Sequence, residues 1–348
     1  MPALGADSLL SLCQVPIIDL GHMDVGNYQR SCVKRVATQM HKSLADKGIA
    51  MLVNHGIPEQ KIREVYKYMN KFCCLSEKHK EEFLTHQAHN TQYISPKTHN
   101  FASSVDDKHT FVLKNLDNTH HQAPTCDHLP EFQQTISQVS EEFCKISKLL
   151  LQALAISIDL NPSHFLKTHE KILRDENESN LRLVYYPSYH HGTDEECAGF
   201  CPVDDGLIDE GTFTLTVQDS ECGIEILSPT THKWQRVGHL PGAILINTGK
   251  LLEHWTSGAY KALKHRIIIP ESLNPHSNQG RYYLSLNVHP DLNTPLEPLY
   301  QEQPKDESDQ VLPKQKSKLS WYATYQQVQK RLRHTKYFWK SMDVRIQT

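Results

Sequence analysis

Three polar residues in the second half of the chain have side chains that could do chemistry. Asp209 precedes a short apolar run in the segment 209–215, His265 begins another such run, and Arg281 begins a third. Carboxylates and imidazoles are common metal ligands. A guanidinium is suited to a two-pronged pair with a carboxylate. Whether these groups meet depends on the elements that carry them.

The size and charge of the chain exclude several classes of protein. Its 348 residues suffice for one large domain or two modest ones with an ample core. A net charge of -3, without a basic stripe, gives no indication of nucleic-acid binding. No apolar run is long enough to span a membrane, and residues 1–14 lack the pattern of a secretory signal.

The cysteines indicate a reducing compartment. The chain has 9 of them, an odd number, and they are scattered along its length. A disulfide framework would show a paired and regular arrangement. We therefore expect a cytoplasmic protein.

The N-terminal region predicts two strands and two helices. Apolar runs at 15–20 and 49–53 are typical of short strands. Between them, residues recur at the spacing of a helix face that stops at Gly48. After the turn Asn54-His55-Gly56-Ile57-Pro58, Pro58 is suited to start the second helix, and we expect His55 to be structural. The polar residues 81–128 predict loops.

A long amphipathic helix follows from Pro130. Its apolar residues keep a three-to-four step over six turns, which predicts a core-facing stripe against the outside of a sheet. The stripe consists of Phe132, Ile136, Val139, Phe143, Ile146, Leu150 and Leu154.

From residue 181 onward the pattern changes to short strands separated by turns. We expect strands at 181–187, 213–217, 224–227, 234–237, 244–247, 265–269 and 282–288. So many closely spaced strands predict a sandwich or barrel. The fold class is therefore α+β with a mostly β core, a double-stranded β-helix or jelly roll with N-terminal and flanking helices. Residues 292–318 predict an exposed excursion, and Trp321, Tyr325, Val328 and Leu332 predict a tail helix that folds back.

The whole stretch from about 15 to 337 resembles the iron(II)/2-oxoglutarate-dependent oxygenases, in the isopenicillin N synthase-like and plant dioxygenase-like branch. The order of the N-terminal elements around 54–58 carries part of this resemblance. Its most specific segments are 211–219, 223–226, 241–249 and 255–266.

The resemblance implies a role for each candidate site residue. Asp209 matches the metal carboxylate and His265 the distal metal histidine of an iron(II) site. Arg281 and Tyr186 match the residues that bind the far carboxylate of 2-oxoglutarate, and Tyr283 stands where that family has a serine. The implied cofactors are Fe(II) and 2-oxoglutarate, and the implied partner is a small-molecule substrate. The oligomeric state stays open.

Three positions depart from the family pattern. Leu207 replaces the first metal histidine, and leucine has no lone pair to offer a metal. Tyr283 replaces a short hydroxyl side chain with a bulky phenol. Lys250 stands where an aspartate is usual.

Other donors in the sequence could replace the missing histidine. His190, His191 and Cys201 lie in the connection before Asp209, together with Cys197, Asp204 and Asp205. The alternative interpretation is a polar loop without a metal. A structural zinc site would need paired cysteine spacing, which this stretch lacks.

Two functions follow from these observations. The first is an oxidoreductase that hydroxylates or desaturates a small organic molecule with iron(II), 2-oxoglutarate and dioxygen. The alternative is a catalytically impaired protein of the same fold that acts as a binding or regulatory module. We divide the chain into an N-terminal oxygenase-like region (15–125), a long support helix and connector (126–178), the jelly-roll core (179–292) and a loop with a C-terminal helix (293–348).

Overall fold

The computed structural model describes most of the predicted elements. The residues it describes are 12–21, 30–84, 91–94, 108–116, 129–186, 200–202, 206–219, 223–270, 281–299 and 324–330. The helices are α1 (Arg30–Lys47), α2 (Glu59–Cys73), α3 (Glu77–Leu84), α4 (Pro130–Ser157), α5 (His164–Lys167) and α6 (Lys250–Trp255). The first strands are β1 (Leu12–Cys13), β2 (Ile17–Asp19), β3 (Ile49–Val53), β4 (Thr91–Ile94), β5 (His109–Leu113), β6 (Asn180–Tyr186) and β7 (Phe200–Pro202). The remaining strands are β8 (Phe213–Gln218), β9 (Ile224–Leu227), β10 (Trp234–Val237), β11 (Ile244–Thr248), β12 (His265–Pro270) and β13 (Arg281–Val288).

The strands form two sheets that pack face to face. The larger sheet has the order β2-β3-β11-β8-β13-β6-β5-β4, and the smaller has the order β1-β10-β9-β12-β7. Met51 and Leu245 of the larger sheet share a buried cluster with Ile224, Ile226 and Val237 of the smaller one. This arrangement confirms the predicted jelly-roll core. Strands from region 15–125 pair in the same sheet as those of region 179–292. The four-part division of the chain stays a prediction.

Helices cover the outer face of the larger sheet. Every residue of the predicted α4 stripe is buried, as the three-to-four spacing requires. Phe132 at the start of α4 lies against Phe111 of β5, with ring centroids 5.1 Å apart. The predicted core-facing role of this helix is therefore confirmed.

The N-terminal predictions are confirmed with small shifts. Helix α1 ends where Gly48 adopts a φ of +67°, a backbone conformation that favours glycine. Pro58 is the residue before α2 rather than its first residue. His55 is buried and its Nε2 lies 2.6 Å from the carbonyl oxygen of Gly242, which is the structural role expected for it.

The interpretation of 81–128 as loops was wrong for part of that range. Helix α3 extends to Leu84, and β4 and β5 form an edge hairpin of the larger sheet. Apolar side chains drive this pairing, since Tyr93 of β4 and Phe111 of β5 are buried against Phe72 of α2. Polar neighbours in the sequence obscured those two short strands.

The described part of the C-terminal segment, 292–299 and 324–330, includes buried residues that its composition did not predict. Leu296, within the predicted excursion, is buried. The described part of the tail helix spans 325–330, and Tyr325 and Val328 are buried against the body of the protein. Trp321 and Leu332 lie outside the described residues.

Candidate active site

A cavity of about 100 Å³ lies between the two sheets and brings Asp209 and His265 together. Its polar lining comes from the inner face of the larger sheet, and His265 stands on the smaller sheet. The lining residues are Ile49, Arg182, Leu207, Asp209, Thr214, Thr216, Ile224, Leu245, Asn247, Leu263, His265, Ile267, Tyr283, Ser285 and Asn287.

Asp209 is held in place by its backbone and its carboxylate. Its carbonyl oxygen accepts a 2.8 Å hydrogen bond from the backbone N–H of Lys250, the first residue of α6. Its Oδ2 accepts hydrogen bonds from Thr214 Oγ1 at 2.6 Å and Asn247 Nδ2 at 2.9 Å. These bonds fix the direction of the carboxylate toward the cavity.

His265 presents its Nε2 to the same point. This atom lies 4.0 Å from Asp209 Oδ2. The other ring nitrogen, Nδ1, is 3.3 Å from the carbonyl oxygen of Leu263 and can donate to it. That tautomer leaves a lone pair on Nε2, as a metal ligand requires.

Leu207 lies beside His265 rather than at a distance from the site. The two residues form an antiparallel bridge through hydrogen bonds of 2.8 and 3.0 Å. The Leu207 side chain lines the cavity and is 45% exposed, which is high for a leucine. The position of the missing ligand is therefore part of the site.

The donor set fits a divalent metal ion through two side chains. Metal–nitrogen and metal–oxygen bonds of about 2.0–2.2 Å place neighbouring donors about 3 Å apart, so these two side chains, 4.0 Å apart, would approach by about 1 Å to hold one ion. Within the described part of the chain, no third histidine, cysteine, aspartate or glutamate completes a cluster. Asp209 and His265 are donors of the kind that a facial iron site uses, and their roles as metal ligands stay predictions.

The candidate substitute ligands do not complete the site in the residues described. His190, His191, Cys197, Asp204 and Asp205 lie outside them. Cys201 pairs with Ile269 in the sheet register, four residues along β12 from His265. At about 3.3 Å per residue, this places its backbone roughly 13 Å from the histidine. That separation is too great for the two residues to share one metal ion.

Lys250 does not direct its charge at the metal position. Its Nζ forms an ion pair with Glu210 Oε1 at 2.5 Å. The ammonium group is therefore neutralised beside the site, and its backbone N–H is the group that contacts Asp209.

Arg281 is not among the described residues that line the cavity. It is buried, its Nη1 donates to the carbonyl oxygen of Ile268 at 2.7 Å, and its Nη2 lies 3.5 Å from Gln218 Oε1. Its Nε has no hydrogen-bond acceptor among the described residues, but Asp219 Oδ1 lies 4.0 Å away and supplies an opposite charge. Burial lowers the pKa of Arg281, and the nearby Asp219 opposes that shift. Asp219 thus supplies an acid partner for the buried guanidinium.

Two tyrosines lie next to Arg281 in the larger sheet: Tyr186 pairs with it in the register, and Tyr283 follows two residues later on β13. The rings of Tyr186 and Tyr283 stack with centroids 6.2 Å apart, and Tyr283 lines the cavity whereas Arg281 is absent from the described lining. Burial raises the pKa of Tyr283, so its phenol stays neutral at physiological pH. The binding roles of Arg281, Tyr186 and Tyr283 stay predictions.

Some residues of the site were not predicted from the sequence. Thr214 and Asn247 orient Asp209, and Arg182 lines the cavity. The sequence did contain a signal for such residues, an alternation of polar and apolar side chains with a period of two. In β8, polar Thr214, Thr216 and Gln218 alternate with apolar residues although the whole strand is buried. Such a pattern indicates a polar cavity on one face.

Comparisons with known proteins identify the family of this chain. Residues 15–135 match the model of the N-terminal domain of the non-haem dioxygenases in morphine synthesis, and residues 177–290 match that of the 2OG-Fe(II) oxygenase superfamily. The chain is 26% identical over 300 residues to the UPF0676 protein C1494.01 of Schizosaccharomyces pombe, covering 83% of this chain and 86% of the relative. It is 24% identical over 268 residues to gibberellin 20 oxidase 1 of Arabidopsis thaliana, covering 73% and 66%.

Solved structures show the same fold. A 2OG-Fe(II) oxygenase family protein from Caulobacter crescentus superposes with a TM-score of 0.69 and 19% identity, covering 92% of this chain and 99% of that one. A full-length Neurospora crassa protein in complex with alpha-KG gives a TM-score of 0.67 and 20% identity, covering 82% and 89%. The chain belongs to the 2OG-Fe(II) oxygenase superfamily, whose cofactors are iron(II) and 2-oxoglutarate.

Proposed function

We propose that this protein oxidises a small organic molecule in the cavity between its two sheets. The observation that carries the proposal is the convergence of Asp209 Oδ2 and His265 Nε2, 4.0 Å apart. Iron(II) bound there, with 2-oxoglutarate and dioxygen, supplies the oxidant for hydroxylation or desaturation. The protein contributes the oriented carboxylate, the imidazole and a lining that is apolar on the smaller sheet.

The cavity limits the size of the ligand. Its volume of about 100 Å³ is below the roughly 300–1,000 Å³ of common small-molecule sites. It therefore accommodates a small molecule or one end of a larger one. The Neurospora crassa structural neighbour is also solved with alpha-KG and 5-formyluracil together, which supports a small-molecule substrate here.

A cytoplasmic location is also part of the proposal. Among the described cysteines, Cys32, Cys73, Cys74 and Cys144 are free thiols, which supports a reducing compartment. None of the helices in the described ranges is long and apolar enough to cross a membrane.

Anaerobic reconstitution with iron(II) tests this function. We expect the wild type to bind iron weakly and, at saturating iron(II) and on exposure to dioxygen, to consume 2-oxoglutarate, and we expect both Asp209→Ala and His265→Ala to lose the metal. Metal content and succinate release are the measurements. A wild type that binds no iron, or that binds it without consuming 2-oxoglutarate, would favour the binding or regulatory module, for which Leu207 and Tyr283 are the specific observations.

A further inference from the structure

Arg182 is a cation that faces the cavity without a charged partner among the described residues. It lies in β6 opposite Ser285 of β13, and both residues line the cavity with Asp209 and His265. Residues that pair directly across two neighbouring strands have side chains on the same face of the sheet. Among the described lining residues, Arg182 is the arginine and Asp209 the carboxylate.

The Arg182 side chain is oriented by two asparagines. Its Nε donates to Asn180 Oδ1 at 2.8 Å, and the same oxygen accepts a 3.1 Å hydrogen bond from Asn287 Nδ2. Asn287 lies beside Thr214, whose hydroxyl donates to Asp209. The Arg182 guanidinium is thus held through its Nε. The side chains that hold it connect through Asn287 and Thr214 to the Asp209 carboxylate.

The terminal nitrogens of Arg182 remain available to a ligand. Arg182 Nε donates to Asn180, whereas Nη1 and Nη2 have no hydrogen-bond acceptor within the described part of the chain. A guanidinium carries five N–H donors in a planar fork, so four are left. A carboxylate is the group whose geometry matches that fork.

Arg281 differs from Arg182 in the partners of its terminal nitrogens and in its position relative to the cavity. Its terminal nitrogens face Ile268 and Gln218, and the carboxylate of Asp219 lies 4.0 Å from its Nε. A Cβ added at Gly223 would lie 1.6 Å from Arg281 Cζ, which shows how tightly the guanidinium packs against that backbone. Arg281 is therefore built into the fold, whereas Arg182 faces the cavity.

We propose that Arg182 binds the carboxylate of the acid ligand that occupies this cavity. The acid is either the far carboxylate of 2-oxoglutarate or the carboxylate of an organic-acid substrate. This inference rests on the proposed function, since it assigns a ligand class to the same cavity.

Calorimetry on the full chain tests the assignment. The variants are Arg182→Gln, which removes the charge, and Arg182→Lys, which keeps the charge and loses the fork. Arg63→Gln is the matched control, because Arg63 lies exposed on α2 and pairs with Glu59. The probes are 2-oxoglutarate under anaerobic iron(II), and then butyrate and benzoate, each compared with its neutral amide, at saturating 2-oxoglutarate.

The arms of the experiment distinguish the two acids. Weaker binding of 2-oxoglutarate by Arg182→Gln, by about 10–100-fold, assigns the co-substrate. Unchanged 2-oxoglutarate binding, with the preference for acids over amides lost in Arg182→Gln, assigns an acid substrate. In either case Arg182→Lys should be intermediate and Arg63→Gln unchanged.

The proposal is overturned if neither probe class binds the wild type, or if Arg182→Gln binds all of them as the wild type does. A thermal melt of each variant separates loss of binding from loss of fold. Iron content is measured separately. Iron binding without Arg182-dependent acid binding defeats this inference alone, and acid binding without iron defeats the proposed function alone.

Discussion

At the residue scale, Leu207 stands where the resemblance places the first metal histidine, and it lines the cavity. It forms a backbone bridge with His265, so its side chain stands on the same side of the sheet as the imidazole. Losing a partner outside the inner coordination sphere already costs about 10–100-fold in metal affinity or activity. We therefore expect the wild type to bind iron(II) weakly.

The substitution Leu207→His should tighten iron binding, because it adds a third donor beside Asp209 and His265 in the facial arrangement. Iron stoichiometry after anaerobic dialysis measures this gain. Leu207→Asn is the control for polarity without an imidazole. If the histidine variant and the asparagine variant retain the same amount of iron as the wild type, position 207 does not reach the metal.

Co-substrate turnover depends on a second position. The Tyr283 phenol lines the cavity, and we expect it to compete with 2-oxoglutarate for space there. We therefore expect Leu207→His to gain more iron than 2-oxoglutarate consumption, and the double variant with Tyr283→Ser to gain both. Succinate release by the single and double variants measures the difference. Equal release by the two would show that the phenol does not obstruct the co-substrate.

At the scale of elements, the start of α6 positions the turn that carries Asp209. Backbone N–H groups of Lys250 and Leu251 donate to the carbonyl oxygens of Asp209 and Gly211 at 2.8 and 3.2 Å. Gly249 allows this approach, since a Cβ there would lie 2.2 Å from the carbonyl oxygen of Gly211. The helix and the site turn therefore meet backbone to backbone.

The substitution Gly249→Ala should push this turn away from α6 and weaken metal binding by moving Asp209. Metal affinity and the melting temperature are the measurements. Gly238→Ala is the matched control, because a Cβ at Gly238 meets nothing within 4 Å. Equal metal affinity in the two variants would show that the turn does not depend on this contact.

The long helix α4 supports the larger sheet from outside. Phe143 lies near its middle and is fully buried. We expect Phe143→Asp to lower the free energy of unfolding by about 3–5 kcal/mol through an unpaired buried charge. Urea denaturation measures the change, with Lys148→Asp on the exposed side of the same helix as control. An unchanged unfolding midpoint for Phe143→Asp would contradict the buried stripe.

At the scale of the whole molecule, stability should depend on pH through a buried histidine. His169 is fully buried, with Nδ1 2.8 Å from the carbonyl oxygen of Phe165 and Nε2 2.8 Å from Thr212 Oγ1. Burial lowers the pKa of His169 from 6.5 to about 3. The folded protein thus keeps this imidazole neutral and in hydrogen-bond contact with Thr212, the residue before β8.

The direction of the pH effect follows from this lowered pKa. Between pH 6.5 and about 3 the unfolded chain binds a proton at His169 and the folded chain does not. This contribution to stability is complete above pH 6.5 and falls with pH below it, by up to about 1.4 kcal/mol per pH unit. We expect His169→Asn to be less stable at pH 7 and to lose that slope.

Urea unfolding at intervals from pH 8 to pH 5 measures the slope. His232→Asn is the control, since His232 is exposed and its positive φ of 52° is tolerated by asparagine. If the unfolding free energy of His169→Asn falls with pH as steeply as that of the wild type, His169 has the same pKa in the folded and unfolded protein.

The sequence alone determined the fold class, most elements and the positions of Asp209 and His265. The spacing of apolar residues was sufficient to predict α4 and β8, because their apolar side chains are buried however the neighbouring elements are arranged. It failed for β4 and β5, whose pairing depends on contact with Phe72 and Phe132, far away in the sequence.

The tertiary structure alone decided which side chains meet at the cavity. Leu207 lies beside His265 because their backbones form a bridge, and Arg281 contacts Asp219 rather than the cavity. Arg182 faces the cavity because β6 pairs with β13 in one register, and a shift of one residue would turn its side chain to the other face. Residue types establish what each group can bind, but the strand register fixes the direction of each side chain, and long-range backbone pairing sets that register.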